Sequence, residues 1–138
     1  MKRGILLEAE FMDFLIPSLN LAYDFTLLEN NDESLNIISK IIDISRFYSK
    51  PSNDEIKLVD EIKVIDKYFS IQEARYNKCF KYEILNNTNM LTYVNRKKYL
   101  PEVIKFFLDR TEDIRRAKNV SVIFQIKNEA PVMEIVIS

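Results

Sequence analysis

The spacing of apolar residues first changes period near Phe80, and that change restricts the fold more than any other feature. Up to Tyr76, apolar side chains recur at helical intervals. From Phe80 onward, Phe80, Tyr82 and Ile84 alternate with polar neighbours, as in a strand with one buried face. A chain with helices first and strands later packs as α+β layers. Ile5 to about Leu28 reads as one helix through Leu7, Phe11, Phe14, Leu15, Leu19, Ala22, Tyr23 and Phe25, with Pro17 expected to kink it. Asn30-Asn31-Asp32 is a turn. Leu35, Ile38, Ile41 and Ile42 then mark a second helix ending before Lys50-Pro51.

Two helices joined by so short a turn pack antiparallel, as a hairpin. Their apolar stripes are too wide for one hairpin to cover, which points to a symmetric dimer with a four-helix core. Leu7, Phe11, Leu15, Leu35, Ile38 and Ile42 are its expected interface residues. Residues 51–57 read as a polar linker and Leu58 to Tyr76 as a third helix. Leu91 to Val94 reads as a short strand, and Pro101 opens a fourth helix to about Ala117. Val120 to Ile126 and Val132 to Ile137 read as a strand hairpin. The expected organisation is a helical unit over 1–50 and an α/β unit over 51–138.

Composition narrows function. The 138 residues carry 20 basic and 21 acidic side chains, with 47% apolar and 30% charged residues, so the chain is globular and offers no basic footprint for nucleic acid. It holds no histidine, which excludes His-based proton transfer, His-ligated zinc and a phosphohistidine. A single glycine, Gly4, excludes glycine-rich phosphate loops. One cysteine, Cys79, fits a reducing compartment. Phe11 to Ala22 is broken by Asp13, Pro17, Ser18 and Asn20, too interrupted for a membrane span. A cytoplasmic location is expected, with no cofactor and no metal. The clusters Arg96-Lys97-Lys98 and Asp109-Arg110-Glu112 read as solvated charge, Arg75 as a structural pair or cap, and Gln72 and Tyr68 as packing residues.

Leu58-Val59-Asp60-Glu61-Ile62 followed by Tyr68-Phe69-Ser70-Ile71-Gln72-Glu73-Ala74-Arg75-Tyr76 resembles the block L-x-x-E-[LI] … Y-L-x-I-Q-x-x-R-[FY] of LytS-like sensor histidine kinases. These are bacterial proteins paired with LytTR or AraC-type response regulators. Asp43-Ile44-Ser45-Arg46-Phe47 is similar to the D-x-x-R-Y near the end of that family's second dimerisation helix. Glu8-Ala9-Glu10 is similar to the K-A-Q that opens its first. The resemblance spans roughly residues 5–85. It implies a dimerisation hairpin joined to an ATP-binding α/β sandwich, here truncated, and a response regulator or sensor kinase as partner.

Several positions depart from the pattern. Counted back from Arg46, the family's N-P-H-F falls on Met12-Asp13-Phe14-Leu15, so the phosphoacceptor position is Phe14. A slip of one residue, aligning Ser18-Leu19-Asn20 with the family's S-L-N, makes it Asp13. Neither side chain carries a phosphoramidate. Leu100-Pro101-Glu102-Val103 resembles the lead into the ATP-binding helix. That register puts the family's acid on Asp109 and its Mg²⁺-binding asparagine on Arg110. The chain stops at Ser138, where the family's adenine-contacting D-N-G would begin.

The resemblance thus implies a degenerate histidine kinase that acts by protein binding, docking partners around Asp13, Phe14, Ile16 and Pro17. An active ATP-dependent sensor histidine kinase or phosphotransferase, and an unrelated helical interaction module, are the two alternatives.

Overall fold

The structure, a computed structural model, describes the backbone of residues 2–50 and 53–138 and the side chains from Phe11 onward over those spans. Leu7 and Glu8-Ala9-Glu10 therefore lie outside the described side chains, and Pro51 outside the described residues. The protein is α+β, with five helices and two small sheets among the described residues.

Helix α1 (Lys2–Leu27) runs through Pro17 without interruption, and α2 (Asn31–Ser49) follows after a short turn. Pro17 offers no N–H to the carbonyl of Asp13, one turn earlier. Ser18 Oγ donates to the Phe14 carbonyl at 2.7 Å, so the next turn is held by a side chain as well. The Phe11 ring stacks on Tyr48 at 4.7 Å, and Thr26 Oγ1 lies 2.7 Å from Ser34 Oγ. Phe11 in the first half of α1 thus meets the end of α2 and Thr26 at its close meets the start, so the two run in opposite directions.

The segment expected to be a polar linker contains strand β1 (Glu55–Lys57). It pairs antiparallel with β3 (Tyr93–Asn95), Ile56 opposite Val94. A three-residue strand with one apolar member leaves no period to read. Helix α3 (Leu58–Arg75) follows directly and buries Leu58, Ile65, Tyr68, Phe69, Ile71 and Gln72. Strand β2 (Lys81–Asn87) pairs parallel with β4 (Asn119–Lys127), which pairs antiparallel with β5 (Ala130–Ile137), giving the order β2-β4-β5. The β4–β5 turn places Asn128 and Glu129 at φ 52° and 66°. Two positive φ values in a two-residue loop match the twist of the flanking strands.

The helix expected over 101–117 is two, α4 (Leu100–Asp109) and α5 (Thr111–Ala117). Arg110, at φ −120° and ψ 21°, is the break, and Thr111 Oγ1 donates back to the Phe107 carbonyl at 2.8 Å.

Three layers result. Val120, Val122 and Phe124 of the sheet face α3 and α4, where Phe69 stacks on Tyr82 at 5.3 Å and Phe80 meets Phe107 at 5.7 Å. On the far side of α3, the Phe14 ring of α1 lies 4.9 Å from that of Tyr68. No described helix is long and apolar enough to cross a membrane.

Candidate functional site

The α1–α2 pair is apolar on two sides. Phe14, Ser18 and Ala22 of α1 and Ile37, Ile41, Ile44 and Phe47 of α2 turn inward and are buried. The opposite side of α1 exposes Met12, Ile16, Leu19, Tyr23 and Leu27 at helical spacing, with Ile16 53% exposed. Beside it, α2 exposes Leu35, Ile38 and Ile42, with Leu35 at 64%. Thr26 and Ser34 join the two rows, so the exposed apolar face spans both helices.

The expected docking residues separate on this geometry. Asp13 and Ile16 are exposed and Pro17 is half-buried, whereas Phe14 is 0% exposed and belongs to the core. Phe14 is therefore not on the surface where the docking residues were expected. An aromatic ring there fills the gap between α1 and α3 and stays out of a partner's reach. Among the expected interface residues, Leu35, Ile38 and Ile42 are exposed. Phe11 and Leu15 are half-buried against the core, and Phe11 is spent on Tyr48.

Beneath this face lies the Tyr-x-x-Ile-Gln-x-x-Arg segment of α3. Tyr68 is fully buried between Phe14 on one side and Phe69 and Phe107 on the other, and burial pushes its hydroxyl pKa up. Gln72 Nε2 donates to the Tyr68 hydroxyl at 2.9 Å. Gln72 Oε1 and Arg75 Nη1 are buried with no hydrogen-bond partner among the described residues. The Arg75 guanidinium stands 5.1 Å from the centre of the Tyr76 ring and that of Arg115 4.8 Å from it. Packing and hydrogen bonding are thus what Tyr68 and Gln72 do here.

Glu61, the glutamate of the same motif block, holds α3 to α4. Its Oε2 accepts the backbone N–H groups of Tyr99 at 2.5 Å and Leu100 at 2.9 Å, the first free donors of α4. The side chain is 0% exposed and Oε1 has no partner among the described residues. Burial raises its pKa against the opposing pull of the backbone donors.

The loop read as solvated charge is instead a clamp. Arg96 Nη2 pairs with Asp54 Oδ2 at 3.0 Å and its guanidinium lies 5.2 Å from the Phe47 ring centre. Lys97 Nζ donates to the Tyr48 carbonyl at 3.0 Å, at the negative end of α2. Lys40 reaches Ser70 Oγ at 2.5 Å and Lys67 pairs with Asp43 at 2.7 Å, tying α2 to α3. A run of three cations looks the same in sequence whether solvated or docked. The one readable signal was that it follows β3 directly.

The expected nucleotide positions stand apart from this face. Asp109 and Arg110 are both exposed at the α4–α5 break, where Arg110 lies 3.9 Å from Asp113 and 5.6 Å from the Phe106 ring centre. Among the described residues no group of three His, Cys, Asp or Glu side chains is placed to hold a metal ion.

No curated protein matches this chain. A sequence model of one family, described as histidine kinase, matches residues 12–80. That stretch begins beside Asp13, takes in the exposed face of α1 and α2 and the whole of α3, and covers half of the 138 residues. The chain belongs to the histidine kinase family.

Proposed function

We propose that this chain is a degenerate, LytS-like member of its family that works in two-component signalling by binding. In this reading residues 1–50 form a dimerising helical hairpin and residues 51–138 a kinase-like base. One observation carries the reading: Asp13 is exposed while its neighbour Phe14 is fully buried, in a chain without histidine. A phosphoacceptor has to reach solvent. Exposure therefore favours the register that aligns Ser18-Leu19-Asn20 with the family's S-L-N and puts Asp13 at the acceptor position. A carboxylate there cannot form a phosphoramidate.

The nucleotide positions point the same way. At the place the resemblance gives to an Mg²⁺-binding asparagine stands Arg110, whose fixed positive charge opposes a divalent cation. The residues present do not fit Mg²⁺·ATP. Signalling then rests on occupancy: the exposed face of α1 and α2 docks a response regulator, a sensor kinase or a second copy, in the cytoplasm.

The test restores the missing acceptor. Asp13→His supplied with radiolabelled ATP and Mg²⁺ is expected to stay unlabelled, because the arginine at position 110 remains. Acid-labile label on that variant would overturn the non-catalytic reading in favour of an active kinase.

A further inference from the structure

Strand β5 is paired on one side only, because the order β2-β4-β5 leaves it at an edge of its sheet. Asn119 and Ser138 exchange both backbone hydrogen bonds, at 3.2 and 3.0 Å. By the alternation of an antiparallel ladder, Val136, Glu134 and Val132 also point their N–H and C=O groups at β4. Met133, Ile135 and Ile137 point theirs outward, where no described residue meets them. Pro131 ends the row, its carbonyl taken by the Tyr99 hydroxyl at 2.9 Å. The side chains of Met133, Ile135 and Ile137 stand opposite Phe124, Val122 and Val120, on the helix side of the sheet, and are only half-buried. The edge is thus incomplete at the same three residues in backbone pairing and in cover for the core. It is also unguarded. After Pro131 the strand carries one charge, Glu134, no further proline and no bulge, the devices that keep natural edges apart.

We propose that this edge takes β5 of a second copy of the chain, antiparallel, about a two-fold axis that passes through Ile135 perpendicular to the sheet. A second β5 supplies the pattern the edge requires, apolar side chains at the alternate residues whose backbone faces outward. With Ile135 on the axis, Met133 pairs with the partner's Ile137, Ile135 with the partner's Ile135, and Ile137 with the partner's Met133. Each pair exchanges both backbone hydrogen bonds. On the outer face Glu134 then lies opposite the partner's Val136. A register centred on Glu134 would set two carboxylates face to face and bring in Pro131, which has no N–H to give. One centred on Val136 pairs fewer of the outward residues. Charge and pairing therefore select a single register, in which the two sheets join into one. The interface involves neither α1 nor α2 and is independent of their reading as a binding unit.

Residue-resolved amide exchange across a dilution series tests it. In the associated chain the amides of Met133, Ile135 and Ile137 are expected to be protected together with those of Glu134 and Val136. On dilution the first three alone should become fast-exchanging. Association through α1 and α2 leaves β5 untouched, so rapid exchange at those three amides at every concentration overturns the proposal whether or not the chain dimerises elsewhere. Ile135→Pro removes an outward N–H and spares the ladder to β4. Met133 and Ile137 should then exchange rapidly at all concentrations; protection surviving there would mean that the chain covers its own edge, and the pairing would fall. Val136 is exposed, so its variants carry the test even if Ile135→Pro does not fold. Val136→Lys and Val136→Glu set opposite charges against the partner's Glu134, twice per dimer. Association read from the same amides should be roughly tenfold tighter in the lysine variant than in the glutamate variant. Equal affinities would overturn the pairing as drawn.

Discussion

The rings of Phe14 and Tyr68 lie 4.9 Å apart and tilted by 52°, both fully buried, so the residue beside Asp13 rests on the first residue of the Tyr-x-x-Ile-Gln-x-x-Arg segment. Whatever moves α1 at the level of Asp13 must move against α3. The two sides of α1 therefore differ: Asp13 and Ile16 face outward, and Phe14 packs on α3.

Phe14 should accordingly behave as a core residue. Removing a buried aromatic ring costs its transfer energy plus the cavity left behind, about 3–5 kcal/mol for Phe→Ala. Phe14→Ala is expected to lose that much in urea unfolding. Phe14→His, which puts a polar ring against Tyr68, should destabilise comparably. Met12→Ala on the exposed row should change the stability of the unassociated chain by less than about 0.5 kcal/mol. Equal effects at positions 12 and 14 would show that α1 is turned differently.

Glu61 carries the pH dependence. Its folded pKa is raised above the ordinary glutamate value of 4.5, with burial the largest cause. The folded state therefore holds the proton more tightly than the unfolded chain. The contribution of Glu61 to stability is fullest below 4.5 and is lost as pH rises through the folded pKa. Glu61→Gln keeps an oxygen for the Tyr99 and Leu100 donors and cannot ionise, so it should flatten this slope and equal or exceed the parent at neutral pH. Glu61→Leu removes the acceptor and should cost about 1–2 kcal/mol, as lost helix caps do. Unfolding across a pH series from below 4.5 to neutrality checks both, and an undiminished slope in Glu61→Gln would assign it to another group.

The spacing of apolar residues was enough to read α+β layers, four of the strands and the approximate extents of α1, α2 and α3. It could not tell which side of α1 turns inward, because Phe11, Phe14 and Leu15 make as good a stripe as Met12, Ile16 and Leu19. Only the pairing with α3 decides, and that is a long-range contact with no local trace. The same holds for β1, whose single Ile56 finds its partner Val94 far along the chain. The α4–α5 break escaped because Arg110 and Thr111 are tolerated in a continuous helix, and it takes the Thr111 hydroxyl on the Phe107 carbonyl to mark the end.

The Arg96–Lys97 clamp should set how firmly the end of α2 is held. Arg96 gives up most of its solvent, 13% of its side chain staying exposed, for Asp54 and the Phe47 ring. Arg96→Ala removes a charge-assisted hydrogen bond and the packing of its stem, for an expected loss of about 1–3 kcal/mol. Lys97→Ala, losing the bond to the Tyr48 carbonyl and the ammonium's place 5.4 Å from the Tyr48 ring centre, should cost about 1 kcal/mol. Amide exchange in the last turn of α2 should accelerate in both variants, and more than exchange in α3. Unchanged protection there would mean that the clamp is a surface decoration.

Tyr68 and Gln72 offer a test of coupling inside the base. Gln72 Nε2 depends on the Tyr68 hydroxyl, while Gln72 Oε1 is already without a partner among the described residues. Tyr68→Phe takes away the acceptor and leaves a second buried amide atom unpaired, which costs about 1–3 kcal/mol. Gln72→Met keeps the volume and removes both the lone oxygen and the donor. It also leaves the fully buried Tyr68 hydroxyl without the amide that donates to it, so this variant too should cost about 1–3 kcal/mol. Combining the two removes every polar atom of the pair at once. The double variant should then be more stable than Tyr68→Phe alone, with an interaction energy of about 0.5–3 kcal/mol, as contacting residues show in such cycles. Four urea curves measure it: if Tyr68→Phe alone is neutral, or if the two changes simply add, the hydrogen bond between Gln72 and Tyr68 contributes nothing and the polar pair has another role.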